Sequence, residues 1–385
     1  MRRVAPLLRP MGITRIANIT GLDVLGFPVV NVIRPNARSL TASQGKGLDL
    51  AAAKASGVME AIECHCAERI ARPVRQASIR EMAAGHRIPA PDSLARPRNA
   101  ALDNDAPMLW IEGRQLDDNA ATWLPFELVH CDYTIPDAPG AGRFLLSSNG
   151  LASGNTREEA ISHGLSEVIE RDASALFRAD PRLLQARRLD PASIEDATCQ
   201  ELLDRLRRPD FGFAIWDMTS DLGVAAFRCE IMERPGAGTA LPQPASGEGC
   251  DPNRRVALIR AVTEAAQARL SMVAGVRDDL PPDLYGQVDD AETLARWWQF
   301  LVEGRGRRRF DQVPDRICRS AREEVEFLLA RLSEAGLPPA IAVDLTPEGM
   351  DTISVMRVVA PGLEPPSEAD CVPGARLRAV RERAP

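Results

Sequence analysis

Residues 147–173 read SSNGLASGNTREEAISHGLSEVIERDA, and the rest of the chain is organised around this stretch. It opens as a loop rich in Gly, Ser and Asn, and then takes on a helical period. Thr156 followed three residues later by Glu159 is a capping-box signature. Ala160, Ile161, Gly164, Leu165, Val168 and Ile169 form an apolar stripe at helical spacing. On a wheel of about 100° per residue, Asn155, Glu159, Glu167 and Glu170 fall within about 120° of one another. Carboxylates crowded on one face repel unless something positive sits among them. Mg²⁺ suits the role, because hard cations take oxygen ligands and often share them with nucleotide phosphates. A solvated helix face with Glu159 as a simple cap accounts for the same residues.

Two further copies of the pattern bear on that choice. In ASGVMEAIECHCAER, Glu60 and Glu63 are also three apart on one helical face, after a second Gly-rich turn, SQGKG. Aligning Glu60 with Glu167 places Glu63 on Glu170, Gly57 on Gly164, Ala53 on Ala160 and Gly47 on Gly154. A weaker copy, GEGCDPNRRVALIRAVTEAAQARL, puts Glu264 at the same position, with Ala257 before it and Gln267 three after. The copies lie 107 and 97 residues apart (167 − 60 and 264 − 167), too far and too irregular for a solenoid. They read as three corresponding loop–helix units in one fold, two of them carrying an E-x-x-E pair.

The text SQGKG…ASGVMEAIE and SNGLASGNTREEAISHGLSEVIERD resembles the YcaO family of ATP-dependent enzymes that activate backbone amides. The resemblance covers roughly Arg15 to Glu364. It implies a nucleotide and Mg²⁺ site in which Glu60, Glu63, Asn155, Glu159, Glu167 and Glu170 hold the metal or its ligands. It also implies phosphate contacts from Arg171 and Lys46, with Ser56 assigned to the nucleotide. TEAAQARLSMVAGVRDD, MGITRIANITGLD and VVAPGLE are similar to the branch associated with the TfuA protein, which is linked to thioamide formation. In that branch Gln267, Arg269 and Arg277 would lie close to the nucleotide or the peptide amide, and Glu264, Gln267 and Arg269 are placed near one helix face. A charged loop with a local ion pair is the other reading of Arg277-Asp278-Asp279. Ring-forming members commonly end in a Pro-rich tail that reaches the active site; this sequence ends in Ala384-Pro385 without that repeat, which sits better with the thioamide branch. No separate leader-peptide-binding module is visible, so a TfuA-like partner is expected to deliver sulfur to a peptide or protein substrate. Family members are often homodimers.

Composition narrows the remaining classes. A chain of 385 residues, 45% of them apolar, is long enough for a large core. A net charge of −7 speaks against a general basic nucleic-acid surface, and few Trp and Tyr speak against a single-strand stacking platform. Eight scattered cysteines form no C-x-x-C and suggest no disulfide framework. Cys64-His65-Cys66 lacks a second half for a zinc site and reads as buried thiols on a helix. His130, at a strand end, reads as structural, and Arg15 and Arg34 read as surface arginines. MRRVAPLLRPMG carries charge but no long apolar run, so it does not read as a signal peptide, and no run reaches the ~20 apolar residues of a membrane span. A cytoplasmic protein is expected. The expected fold is α/β of the α+β kind: one catalytic domain over 1–365, mixed sheets flanked by helices, with three loop–helix units around a central ATP cleft. Residues 366–385, rich in Pro, Ala and charge, are expected to be a flexible tail.

Overall fold

The helical period after Thr156 is realised over Arg157–Arg178. The other two copies form helices Leu50–Glu68 and Arg254–Ala274. Each start has a side-chain cap: Asp49 accepts from the Ala52 amide, Thr156 from Glu159, and Asn253 from Arg255 and Val256. The third helix stops at Gly275, whose φ of 59° is the left-handed turn that glycine adopts without cost. The computed structural model describes residues 1–237, 243–275, 291–366 and 369–383.

Three sheets surround these helices. β1 (Arg15–Asn18), β2 (Val29–Ile33) and β3 (Ala42–Lys46) form one, in that order. β4 (Val74–Ala77), β5 (Met108–Gln115), β6 (Ala121–Pro125), β7 (Leu151–Gly154), β11 (Ile341–Asp344) and β12 (Ser354–Val359) form the largest, ordered β4-β5-β11-β12-β7 with β6 on β5. β8 (Phe211–Asp217), β9 (Ala226–Glu233) and β10 (Ala245–Cys250) form the third, ordered β10-β9-β8. Every pairing among these strands is antiparallel, which selects the α+β side of the expectation.

The segment before each repeat helix differs from expectation. SQGK, LASG and the GEGC run are strands β3, β7 and β10, each at the edge of its own sheet, so the units are strand–helix and not loop–helix. Their small residues are explained by contact. A Cβ on Gly45 would stand 2.1 Å from the Ala53 carbonyl oxygen and 2.3 Å from the Gly57 nitrogen; one on Gly249 would stand 2.2 Å from Ala257 O and 2.5 Å from Ala261 N. Gly45 and Gly249 occupy the same place in the repeat, and so do the residues they would strike. The sequence alignment of the copies is therefore a three-dimensional correspondence. The strand gives up side chains there so that the helix backbone can approach.

Each helix buries its apolar stripe in a different core. Val58, Ala61 and Ile62 pack with Val30 and Val32; Ala160, Leu165 and Ile169 with Met356 and Val358; Leu258, Ala261 and Ala265 with Phe227 and Ile231. Their polar faces are left to meet at the centre. Elsewhere His130 is structural, stacked on Phe126 at 4.7 Å between ring centres. Arg34, expected at the surface, is instead buried, because the equally buried Glu68 carboxylate pairs with it. The segment expected to be a flexible tail instead contains a helix, Ala375–Arg383, tied to the body by Arg376. No helix among the described residues is long and apolar enough to cross a membrane.

Candidate active site

The three polar faces line one cavity of about 1140 Å³. Strand β3 contributes Gln44 and Lys46; the first helix Ser56, Glu60, Glu63 and Cys64; β7 and the second helix Ser153, Asn155, Glu159, Glu167, Glu170 and Arg171; β10 and the third helix Glu248, Thr263, Glu264 and Gln267. The repeat is visible in the bonding as well. Glu60 accepts from the Gln44 amide at 3.3 Å, and Glu264 accepts from the backbone of Glu248, the residue that corresponds to Gln44. Glu167 takes a backbone N–H from one position earlier in the repeat, that of Gly150.

The carboxyls differ in state. Burial raises Glu60 to about 7 and Glu63 to about 8 from an ordinary value of 4.5, although the Gln44 amide and the Ser153 hydroxyl, respectively, pull the other way. Burial likewise raises Glu170 to about 8 against the pull of Arg171, and raises Glu167. Glu264 is the exception: burial opposes its charge, but Lys46 and Arg171 outweigh burial and hold it low. Lys46 Nζ bonds directly to Glu264. Arg171 lies 3.4 Å from Glu170 and 3.3 Å from Glu248, and these acids with Glu167 and Glu264 hold its guanidinium charged despite burial.

At the rim the cap of the second helix is completed differently from a capping box. Thr156 Oγ1 accepts from the Glu159 amide at 3.2 Å, but the Glu159 carboxylate turns back to Asn155, taking its N–H at 2.7 Å and its Nδ2 at 2.8 Å. Ser56 lies beneath the chain turn at Lys46, its Oγ 3.5 Å from the Lys46 amide. Gln267 Nε2 donates to Gln44 Oε1 at 3.2 Å.

One expected residue stands elsewhere. Arg269 is buried away from the cavity. It pairs with Asp23 at 3.1 Å and Glu233 at 2.7 Å, and lies 5.0 Å over the Phe211 ring. It is two positions past Gln267, about 200° round the helix, so it serves the opposite face. Arg277 lies outside the described residues. Glu248 was missed. It binds Arg171, Arg178, Arg228 and Ser174 and forms the cavity floor beside Glu170. Extending the repeat back from Glu264 into the preceding strand would have found it. Lys46 also had an unused signal: the cationic side chains of this chain are almost all arginine, with Lys46 and Lys54 the only lysines.

Among the described residues, no three carboxylates, imidazoles or thiols form a ready-made metal cage. The donor chemistry nonetheless fits Mg²⁺. The ligating atoms are oxygens, and several buried carboxyls hold protons that a divalent cation would displace. Mg²⁺ is commonly held by one or two carboxylates with waters and phosphates completing its sphere, and not by an all-protein cage. An acidic, Mg²⁺-compatible cavity with Lys46 and Arg171 at its wall, built from three repeated strand–helix units, defines a metal–nucleotide site.

Comparison with known proteins gives the family. Residues 44–364 match the YcaO cyclodehydratase model, described as ATP- and Mg²⁺-binding. The chain is 37% identical over 368 residues to an uncharacterized protein in the tfuA 3′ region of Rhizobium leguminosarum bv. trifolii, covering 94% of this chain and 86% of that one. Its fold matches YcaO from Methanopyrus kandleri bound with AMPPCP and Mg²⁺, with a TM-score of 0.72 at 24% identity, over 94% of this chain and 88% of that one. It also matches a heterocyclase in complex with substrate and cofactor, with a TM-score of 0.76 at 23% identity; the match covers 94% of this chain and 52% of the heterocyclase, which is about twice as long. The chain belongs to the YcaO family, and its cofactors are ATP and Mg²⁺.

Proposed function

We propose that this protein activates a backbone amide of a peptide or protein by phosphorylating its oxygen, and that the product is a thioamide made with a TfuA-like partner. The observation that carries the reading is the cavity itself: paired carboxylates from two repeat units facing Lys46, Arg171 and the Glu264 of a third. Bound Mg²⁺ and ATP would supply charge neutralisation and the phosphoryl group that turns a poor leaving oxygen into phosphate. Glu60, Glu63, Glu167 and Glu170 would hold the metal, with Asn155 and Glu159 at the rim once their mutual bonds open. Lys46 is parked on Glu264 at the cavity wall, from where it would reach a bound phosphate. Arg171, kept charged by its acidic neighbours, stabilises negative charge where it develops. Gln267 and Gln44 offer carboxamides for the nucleotide or the amide to be modified. The chain needs no serine or cysteine nucleophile of its own for this chemistry. At about 1140 Å³ the cavity exceeds the ~300–1,000 Å³ of an ordinary small-ligand pocket, which leaves room for a peptide beside a nucleotide.

The relative in the tfuA 3′ region supports the thioamide over the azoline. Ring closure to an azoline is the second reading, favoured by the cyclodehydratase description of the family. A non-catalytic scaffold fits less well with so many acidic groups maintained in one cavity. The test begins with isothermal titration of a non-hydrolysable ATP analogue with and without Mg²⁺, on the wild type and Glu167→Gln. Mg²⁺-dependent binding lost in the variant is expected; no binding by the wild type would sink the reading. The product is then separated by mass, about +16 Da for oxygen to sulfur against about −18 Da for loss of water.

A further inference from the structure

The second helix carries a buried acid that the site does not use. Asp172 follows Arg171, is fully buried, and faces the back of the helix. Burying a carboxylate is costly unless it is paired and hydrogen-bonded, and here its partner comes from far along the chain. Arg376 donates Nε to Asp172 Oδ1 at 2.9 Å and Nη2 to Oδ2 at 3.0 Å, a two-pronged contact. The Glu364 amide adds a third bond to Asp172 at 3.0 Å. The Glu364 carboxylate then accepts from Gly374 N and Leu377 N, both at 2.8 Å, and so caps the helix Ala375–Arg383 that presents Arg376. Asp172, Glu364 and Arg376 thus close a ring beneath the turn that carries Glu170 and Arg171. The exposed Asp221 is a further partner of Arg376.

We propose that Arg376 is a positioning residue: acting through Asp172, it holds the Glu170–Arg171 turn against the cavity, and docking of the C-terminal helix is thereby coupled to nucleotide binding. The inference rests on the metal–nucleotide reading of the cavity. It assigns a role to a segment that would otherwise be an appendage on the far side of the helix.

The full-length chain tests it. Arg376→Met is expected to weaken binding of a non-hydrolysable ATP analogue with Mg²⁺ by about tenfold or more, as loss of a group that orients a ligand-bearing residue commonly does. Arg376→Lys should recover most of that loss, and Asp221→Asn should stay within about twofold, because an exposed ion pair contributes little. Coupling is reciprocal, so the analogue should slow amide exchange across 375–383 in the wild type. Unchanged affinity in a folded Arg376→Met, or exchange across 375–383 indifferent to the analogue, overturns the proposal. If Arg376→Met does not fold, the wild-type exchange measurement and the Arg376→Lys affinity decide. A wild type that binds no nucleotide refutes the cavity reading instead. Positioning is then judged without nucleotide: exchange over 167–173 should quicken in the Arg376 variants while the third helix is unchanged, and no local change overturns it.

Discussion

The first two repeat units and the third share a fold and differ in charge state. Glu60, Glu63, Glu167 and Glu170 are pushed up by burial, which outweighs the pull of Lys46 on Glu60 and of Arg171 on Glu167 and Glu170, whereas Glu264 is held ionised by Lys46 and Arg171 together. The position that pairs with Glu264 at E-x-x-E spacing is Gln267, which carries no charge. One fold element has therefore been used in two ways. Two copies present carboxyls that await a cation, and the third presents a carboxylate already matched to a lysine. The difference follows from neighbours, because the helices and the preceding edge strands otherwise correspond, with only a small residue (Gly45, Ala152 or Gly249) where strand and helix meet.

The largest effect is expected where the third helix turns away from the cavity. Arg269→Met would leave Asp23 and Glu233 buried without their common partner, and removal of one member of a buried ion pair costs about 3–5 kcal/mol. Chemical denaturation should show that loss, while nucleotide affinity of the remaining folded protein stays close to wild type. A large loss of affinity with little loss of stability would return Arg269 to the site. Next is Glu167→Gln, expected to reduce Mg²⁺-dependent nucleotide affinity about 100-fold, against about tenfold for Glu264→Gln, whose main consequence is to free Lys46. Equal losses in the two variants would erase the distinction between the units. A smaller effect comes from Gly45→Ala and Gly249→Ala, where the added methyl meets helix backbone. Overpacking of this kind costs about 1–3 kcal/mol, visible as a lower denaturation midpoint. The corresponding residue of the second unit is already alanine, Ala152, so Ala152→Gly should change much less.

How much of this could be read beforehand depended on whether a side chain's role is local. The second helix was legible because its cap, stripe and acidic face all lie within one gapless stretch, and the repeat made the first helix legible by analogy. The edge strands were not. SQGK and LASG lack the β-branched and aromatic residues that mark strands, since strand propensity reflects packing on a pleated surface and these strands pack against helix backbone. Arg269 was misplaced although a helical wheel separates it from Gln267. Its charge invited a phosphate role, and its two carboxylates come from distant segments. The helix at Ala375–Arg383 was hidden for the same reason: its composition is that of a solvated tail, and a single arginine supplies the anchor. Glu248 needed the repeat to be followed into the strand.

The comparison of the units is tested most finely by pH, through effects smaller than those of the substitutions. In the nucleotide-free protein Glu60 titrates at about 7 and Glu63 and Glu170 at about 8, against an ordinary 4.5. Each of these carboxyls therefore binds more of a proton in the folded state than in the unfolded chain between roughly pH 4.5 and 8, and its contribution to stability is lost as pH rises through that window. His65 and His163, each held at about 4 by desolvation, act the other way up to their ordinary 6.5, so the net fall is expected above about pH 7. A cation reverses the trend by taking the place of the protons. Affinity for Mg²⁺ with the ATP analogue should accordingly rise from pH 6 to 8.5, with protons released on binding. Titrations in two buffers of different ionisation enthalpy count those protons directly. Glu63→Gln and Glu170→Gln should each flatten both slopes, whereas Glu264→Gln should alter them less, because Glu264 stays ionised across the range and acts only through its charge on Glu60 and Glu170. If the nucleotide-free protein instead gains stability from pH 7 to 8.5, the carboxyls of the first two units are already ionised, and the contrast with the third unit disappears.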